Sequence, residues 1–556
     1  MLPIPESSPA VVPIFVNAGA ALFPAIIAGF ASIAAMIMKP KELLAAFKRK
    51  PWLPFLIIAI GAGLWFGGSW VFGPHQAVAT TPASSTSSVD SGSKTDWAAV
   101  ALDILRRDKT GGKGPIAGMP GAGSATTSLL NPGGLTGPGG TPFTPISTPV
   151  TDPGGNVSAS NFIFRYGATR TGWDGSPGPR GLSKLWNYSE DYSTSLSSPL
   201  LVGKKLYSSI STLKGGTYYG AVICLDAENG TKLWKTNLDI NGKPFPGIFS
   251  SPALTADGTK LLIGQGLHPD TNCSLICLDA STGSVQWQAP TTLHIESSPA
   301  IWGDVAVVGC GAIEGPDHKP ISAPGEVIAI QISDGKELWR HPVNDPESDP
   351  AIVDGVVYIG SGFNGHKVVA LKIESGEEIW STDTTYPATG AITVVGDRVI
   401  TGVGNGDFVY GDPHPAGKVL GINRADGKVL WDTPFPDAVL GAVAVVGNVA
   451  VCTGRTGKIT LLNIADGSII KSTVAHENEP VMAAAAFTGK TIYAVSSGGY
   501  LVVLDGDGKK LETIALNSED TPGQGMSFSS PTVAGGRVFV GSETGGLICL
   551  VGTSAE

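Results

Sequence analysis

The residues whose types and spacing could do chemistry are three histidines, each beside an acid: His268-Pro269-Asp270, Asp317-His318 and Asp412-Pro413-His414. An imidazole next to a carboxylate can relay a proton or bind a transition metal. No ligand spacing repeats among them, and the eight histidines of the chain do not cluster. Solvated loop positions account for them better than a metal or catalytic centre does. The six cysteines (Cys224, Cys273, Cys277, Cys310, Cys452 and Cys549) include no CxxC and no adjacent pair, so neither a zinc site nor a disulfide framework is written here. Cys224, Cys277 and Cys549 share one place, in ICLD, ICLD and ICLV, where equivalent stretches put Ala329, Ala370 or Gly421. That place is a small buried slot, and free cysteine fills it as a small hydrophobe. Cys273 and Cys310 fall in or beside loops of neighbouring units, which leaves a disulfide between them open. No phosphate loop, H-E-x-x-H or G-x-S-x-G occurs. The sequence therefore predicts no catalytic, cofactor-binding or metal-ligating residue.

The elements that would position any site come from a repeat. Leu225 to Trp234 reads LDAENGTKLW, a strand end, an Asn-Gly turn and a second strand closing on tryptophan. It returns as LDASTGSVQW ending at Trp287, IQISDGKELW at Trp339, LKIESGEEIW at Trp380 and INRADGKVLW at Trp431. Two worn copies carry Lys471 and Glu512 where the tryptophan should be. A period of roughly 40 to 53 residues belongs to propellers and arrays. The 75 glycines, 41 prolines and 15% charged residues suit many short strands joined by tight turns. A net charge of -10 argues against a nucleic-acid surface. Each copy reads as four antiparallel strands, with first strands near Ser198, Ser251, Ser298, Asp349, Gly390, Gly441, Val481 and Ser530. That predicts an all-β, eight-bladed β-propeller over 161–556. The last blade has only three strands, so Leu182-Ser183-Lys184-Leu185-Trp186 is expected to supply the fourth and close the ring, hiding the edges.

These copies resemble the pyrroloquinoline-quinone-type (PQQ-like) propeller repeat, roughly A-x-D-x-x-T-G-x-x-x-W, from about Phe162 to Val551. The resemblance implies that Trp186, Trp234, Trp287, Trp339, Trp380 and Trp431 sit on outer strands and dock against the next blade, where a buried indole needs a partner for its N–H. It also implies one of two functional classes. Quinoprotein alcohol dehydrogenases bind PQQ and calcium over the channel and are expected to show adjacent cysteines near the quinone; this chain has none. The non-catalytic class is exemplified by a periplasmic lipoprotein of the outer-membrane β-barrel assembly machinery. The expected function is accordingly a non-catalytic protein-binding scaffold in envelope or outer-membrane protein assembly, with no cofactor. The alternative is a PQQ-dependent oxidoreductase, which would need PQQ and Ca²⁺.

One face of such a ring should carry only tight turns, such as Asp257-Gly258 and Thr282-Gly283. The other should carry the long loops: 213–220, 241–249, 266–273, 312–325, 405–417 and 517–528. Loops on a rigid scaffold commonly hold binding function. The expected partner-binding residues there are Tyr218, Tyr219, Phe245, Phe408 and Tyr410, with His268, Asp270, His318 and His414 beside them.

The N-terminal region reads differently. Residues 11–38 and 52–72 are apolar runs long enough to span a hydrocarbon core, and Lys39 to Lys50 between them is basic. Residues 1–74 are thus expected to form a two-helix anchor in the inner membrane, with both termini on the periplasmic side. Residues 75–160 read as a Gly/Pro/Ser/Thr-rich linker, with a short amphipathic helix at 95–109.

Overall fold

The computed structural model describes residues 164–556, apart from 191–192, 215–216, 268–269, 271–272, 292, 313–324, 364, 407, 409–410, 478 and 518–526. The expected anchor, linker and 95–109 helix lie outside the described residues. Among the described residues no helix is long and apolar enough to cross a membrane.

Eight antiparallel sheets follow one another around a ring; seven are built from strands consecutive in the chain, the first of these with a short fifth strand at Ser193–Thr194, and the eighth is completed by a strand that precedes the first blade. Blade 1 comprises Leu200–Val202, Lys205–Lys214, Thr217–Asp226 and Lys232–Thr236. The inner strands of blades 2 to 8 are Ala253–Leu254, Ala300–Trp302, Ala351–Val353, Thr393–Val395, Ala444–Val446, Ala486–Phe487 and Thr532–Ala534. These eight positions match the eight first strands expected from the repeat. In blade 8 the outer strand is Pro179–Tyr188, which pairs antiparallel with Gly546–Ala555 and places Trp186 opposite Cys549. The first strand of the outer set thus closes the ring on the last.

Both faces of each sheet are covered, by the preceding and the following blade. This is why the middle strands read as unbroken apolar runs, such as Leu261-Leu262-Ile263, rather than as alternating patterns. Consecutive side chains point to opposite seams: Leu262 packs against blade 3 while Leu261 and Ile263 pack against blade 1. The apolar core is accordingly divided among eight seams, one between each neighbouring pair of blades.

Each tryptophan of the repeat lies across one seam. Trp339 Nε1 donates to the Ile373 carbonyl at 2.7 Å, and the ring lies on Gly376, where a Cβ would come within 2.5 Å of Cε3. Trp186, Trp234, Trp287, Trp380 and Trp431 make the same bond to Ala227, Ala280, Ile332, Arg424 and Ile464, at 2.9 to 3.3 Å. The repeat glycine therefore has two duties. It adopts the left-handed turn (φ +69° at Gly376), and it leaves room for the indole of the preceding blade.

The slot opposite the tryptophan, across the ladder, is small for the same reason: Cys224, Cys277, Ala329, Ala370, Gly421 and Cys549. Where the tryptophan is lost the slot fills, with Leu461 opposite Lys471 and Val503 opposite Glu512. Glu512 also takes over the seam itself. Its two carboxylate oxygens accept the Gly181 and Leu182 amides at 2.9 Å each, on the strand that closes the ring.

All six cysteines are buried free thiols, so Cys273 and Cys310 are not joined. Burial pushes the thiols of Cys224, Cys273, Cys277 and Cys549 up to about 12.

Candidate functional site

The site is built on the links that deliver the chain from each outer strand to the next inner strand, around the central channel. Two residues before each inner strand stand Ser198, Ser251, Ser298, Asp349, Ala391, Ala442, Ala484 and Ser530 in blades 1 to 8. The polar members form a relay from blade to blade. Ser198 N–H donates to Ser251 Oγ at 2.9 Å, Ser251 N–H to Ser298 Oγ at 3.2 Å and Ser298 N–H to Asp349 Oδ1 at 2.5 Å. It resumes from Ala484 N–H to Ser530 Oγ and from Ser530 N–H to Ser198 Oγ, both at 3.1 Å. Each bond satisfies a buried amide that has no ladder partner.

The three alanines make room for the chain's own N-terminal segment. Phe164 packs on Ala391, Ala442 and Ala484. Arg170, 1% exposed, lies 5.2 Å over the Phe164 ring. Its guanidinium donates to the carbonyls of Phe164, Ile392, Asp349 and Pro350. Arg165, also buried, donates to Arg170, Ala484, Ala485 and Pro531. Tyr166 Oη donates to the Leu201 carbonyl at 2.9 Å. The backbone from Ala168 to Gly172 accepts amides from Val394, Val445, Phe487 and Val533 on four successive inner strands. This segment plugs the channel and ties blades 1, 4, 5, 6, 7 and 8 together.

Arg165, Tyr166 and Arg170 have φ near +55°, a conformation costing about 1 kcal/mol or more per residue, which the hydrogen bonds offset. Burial, chiefly, pulls both guanidinium pKa values down, and it lifts that of Asp349. Asp349 is half-buried by surface area, yet its titration is set by enclosure in the ring rather than by solvent, with Arg170 opposing the shift.

One step earlier in each link, four residues before the inner strands, stand Leu196, Phe249, Glu296, Glu347, Thr389, Leu440, Met482 and Phe528. This ring is divided by chemistry. Leu440 and Met482 cluster with Ala438 and Phe528 on one side. Two adjacent glutamates face the other way around the circle, from the links into blades 3 and 4. His294, two residues before Glu296 on the same link, is fully buried, with Nε2 3.0 Å from Glu347 Oε1 and 3.8 Å from Glu296 Oε1. The sequence reading missed this cluster. The signal was present as acids at one register position in consecutive links (HIESSP and DPESDP), visible only when the links are aligned by blade.

The expected partner-binding residues that are described do not gather in one place. Tyr218 and Tyr219 lie not in a loop but on the strand Thr217–Asp226, opposite Leu213 and Thr212, because the hairpin continues to Lys214 and Thr217. Tyr218 meets Phe249 edge-on at 5.6 Å, and Tyr219 is 39% exposed. Phe245 is 1% exposed, contrary to the expectation of an exposed aromatic: it fills the seam beside Leu200, Tyr207 and Ile248. Phe408 is exposed at the edge of the apolar arc, 5.9 Å from Phe528. Asp270 closes its own turn by accepting the Leu267 amide at 3.0 Å. His414 is exposed, its amide held by Asp412 and its carbonyl by Asn405, so this Asp–His pair shapes a loop. His268, His318 and Tyr410 lie outside the described residues. Thus Tyr218, Tyr219 and Phe245 sit at blades 1 and 2, apart from Phe408 and His414 on blade 5.

The adjacent cysteine pair that the dehydrogenase class implies near a quinone is missing from this chain. No two cysteines are adjacent, and Cys224, Cys277 and Cys549 are spent on the slots opposite tryptophans.

Among solved structures, a quinohemoprotein alcohol dehydrogenase from Comamonas testosteroni superposes with a TM-score of 0.51 at 14% identity, over 71% of this chain and 81% of that one. BamB from Moraxella catarrhalis aligns at 15% identity over 67% of this chain and 99% of that one, with a TM-score of 0.48. A curated relative, a beta-alanine-activating enzyme of Danio rerio, is 33% identical over 95 residues, 17% of this chain. The chain spans only 8% of that protein's length. A family model described as "Outer membrane protein assembly factor BamB" matches residues 179–364, 323–410 and 367–556, which together run without a gap over the whole ring. The chain belongs to this PQQ-like propeller family.

Proposed function

We propose that the propeller is a non-catalytic scaffold that binds proteins through its long-loop face, held at the inner membrane on the periplasmic side by the apolar runs at 11–38 and 52–72. Its field of action is envelope or outer-membrane protein assembly. The observation that carries this reading is the family match across the ring, to a family named for an outer-membrane assembly factor. Two features support it. The channel interior is occupied by Phe164, Arg165 and Arg170. Exposed aromatic and polar side chains, Tyr219, Phe408 and His414, stand on the face opposite the repeat turns.

A photo-crosslinking amino acid at Tyr219 or Phe408, compared with one at Asn229 on the tight-turn face, tests the scaffold. Adducts with envelope proteins from the first two positions alone are expected; equal yields from all three would defeat the assignment of the face. The second reading, a PQQ-dependent oxidoreductase, has the superposition on the Comamonas enzyme in its favour. Adding PQQ and Ca²⁺ to the purified chain and following quinone absorbance and alcohol-dependent dye reduction decides it: stoichiometric quinone with turnover would replace the scaffold reading. For the topology, protease added outside spheroplasts is expected to cut within 75–160. Cleavage only after lysis would reverse the orientation.

A further inference from the structure

We propose that His294, Glu296 and Glu347 form a binding site for one divalent transition-metal ion of the zinc type, at the long-loop end of the channel. The nitrogen of His294 and one carboxylate oxygen from each glutamate all lie within 4.8 Å of one another. Ligand atoms bound at 2.0 to 2.2 Å around a tetrahedral ion are about 3.3 to 3.6 Å apart. The separations of 3.0 and 3.8 Å from Nε2 therefore bracket that spacing.

The backbone explains how three ligands come together. His294 and Glu296 are two apart on the link into blade 3, so one short stretch of backbone carries both. Glu347 occupies the position of Glu296 one blade further on. Gly311 provides the space, since a Cβ there would stand 2.4 Å from His294 Nε2 and 3.0 Å from Glu347 Oε1. Its amide donates to the His294 carbonyl at 3.1 Å and fixes the link that carries the imidazole. Glu296 and Glu347 keep 22% and 15% of their side-chain surface exposed, so an ion can reach the site from solvent.

The donor set selects the metal. One imidazole and two carboxylates suit zinc and its neighbours, whereas calcium takes six to eight oxygens. The three donor atoms lie close enough together to be shared by a single dication. Three protein ligands leave a fourth position for water or a partner's donor group.

The test uses the full-length chain, stripped with a chelator and dialysed. Titration with Zn²⁺ is expected to give about one equivalent bound per chain. Co²⁺ is expected to give visible d–d bands of a low-coordinate nitrogen and oxygen site, which Zn²⁺ removes and Ca²⁺ does not. Glu347→Gln and Glu296→Gln keep the side-chain shape and are expected to weaken Zn²⁺ more than about tenfold, since even changes beyond the ligands cost about 10- to 100-fold. Thermal melts of the metal-free variants check that they fold. The Co²⁺ spectrum of the unaltered chain decides the matter independently of them. No saturable Zn²⁺ or Co²⁺ binding, displacement of cobalt by Ca²⁺, or folded variants that bind like the parent would each overturn the proposal. None of these outcomes bears on the crosslinking test of the scaffold reading, so the two stand or fall separately.

Discussion

Trp339 and Gly376 provide a quantitative test of how blades hold together. Trp339 is 8% exposed, lies in the seam between blades 3 and 4, and donates to Ile373. Truncation to alanine removes a buried indole and leaves a cavity, costing about 3 to 5 kcal/mol, including a carbonyl that loses its donor. Gly376→Ala acts in two ways. The left-handed backbone at φ +69° costs alanine about 1 to 2 kcal/mol. The new methyl, 2.5 Å from Cε3, must push the indole aside, costing about 1 to 3 kcal/mol more. The second cost exists only while the indole is present. The double variant should therefore lose less than the sum of the singles, by about 1 to 3 kcal/mol, well outside the roughly 0.5 kcal/mol scatter of independent sites. Urea unfolding of the four proteins, followed by far-ultraviolet circular dichroism, measures the cycle. Additive losses would refute the claim that the repeat glycine is selected by the tryptophan of the blade before it.

Four further predictions concern neighbouring features. Glu512→Gln should weaken the two bonds to Gly181 and Leu182 and cost about 1 to 2 kcal/mol, read as faster hydrogen exchange at those two amides with little change elsewhere. Arg170→Met should cost about 3 to 5 kcal/mol, because it strands Asp349 and several carbonyls in the channel; limited proteolysis should then cut within 164–176, and continued resistance there would show that the plug does not depend on this side chain. The native thiols should resist maleimide at pH 8, with all six reacting after unfolding. Above about pH 8.5 an unfolded chain releases thiol protons that the folded one holds to about 12, so stability should fall as pH rises through that window, by up to about 1.4 kcal/mol per pH unit for each thiol. Unchanged urea midpoints between pH 8.5 and 10.5 would contradict the raised values.

The ring was legible because its periodic residues each have a local and a tertiary role that coincide. The glycine must turn, and the tryptophan must land four residues later on an outer strand, so the copies keep their spacing. Even the worn copies carry readable information: Leu461 and Val503 fill the slot where Lys471 and Glu512 replace the indole. Phe245 misled because an aromatic between two prolines in a polar stretch looks like a surface residue, and only the neighbouring blade supplies the apolar wall that buries it. The channel was illegible for a different reason. Arg165 and Arg170 belong to a segment outside the repeat, and their distant partners lie from Asp349 to Pro531. The His294 cluster joins the links into blades 3 and 4, whose side chains meet only once those two blades pack together.

The pairing of Pro179–Tyr188 with Gly546–Ala555 also sets the order of events during synthesis. The strand that completes blade 8 is made first and must wait until nearly every other residue has emerged before it finds its place. Throughout that interval blade 8 has no outer strand and the seam with blade 1 stays open, leaving apolar surface uncovered. Such long-range pairing is slow and exposes aggregation-prone edges. A chain that ends a few residues before Gly546 therefore has seven blades and two strands of the eighth, with nothing for Pro179–Tyr188 to pair with, and the last ten residues of the ring carry a share of folding yield far larger than their share of length.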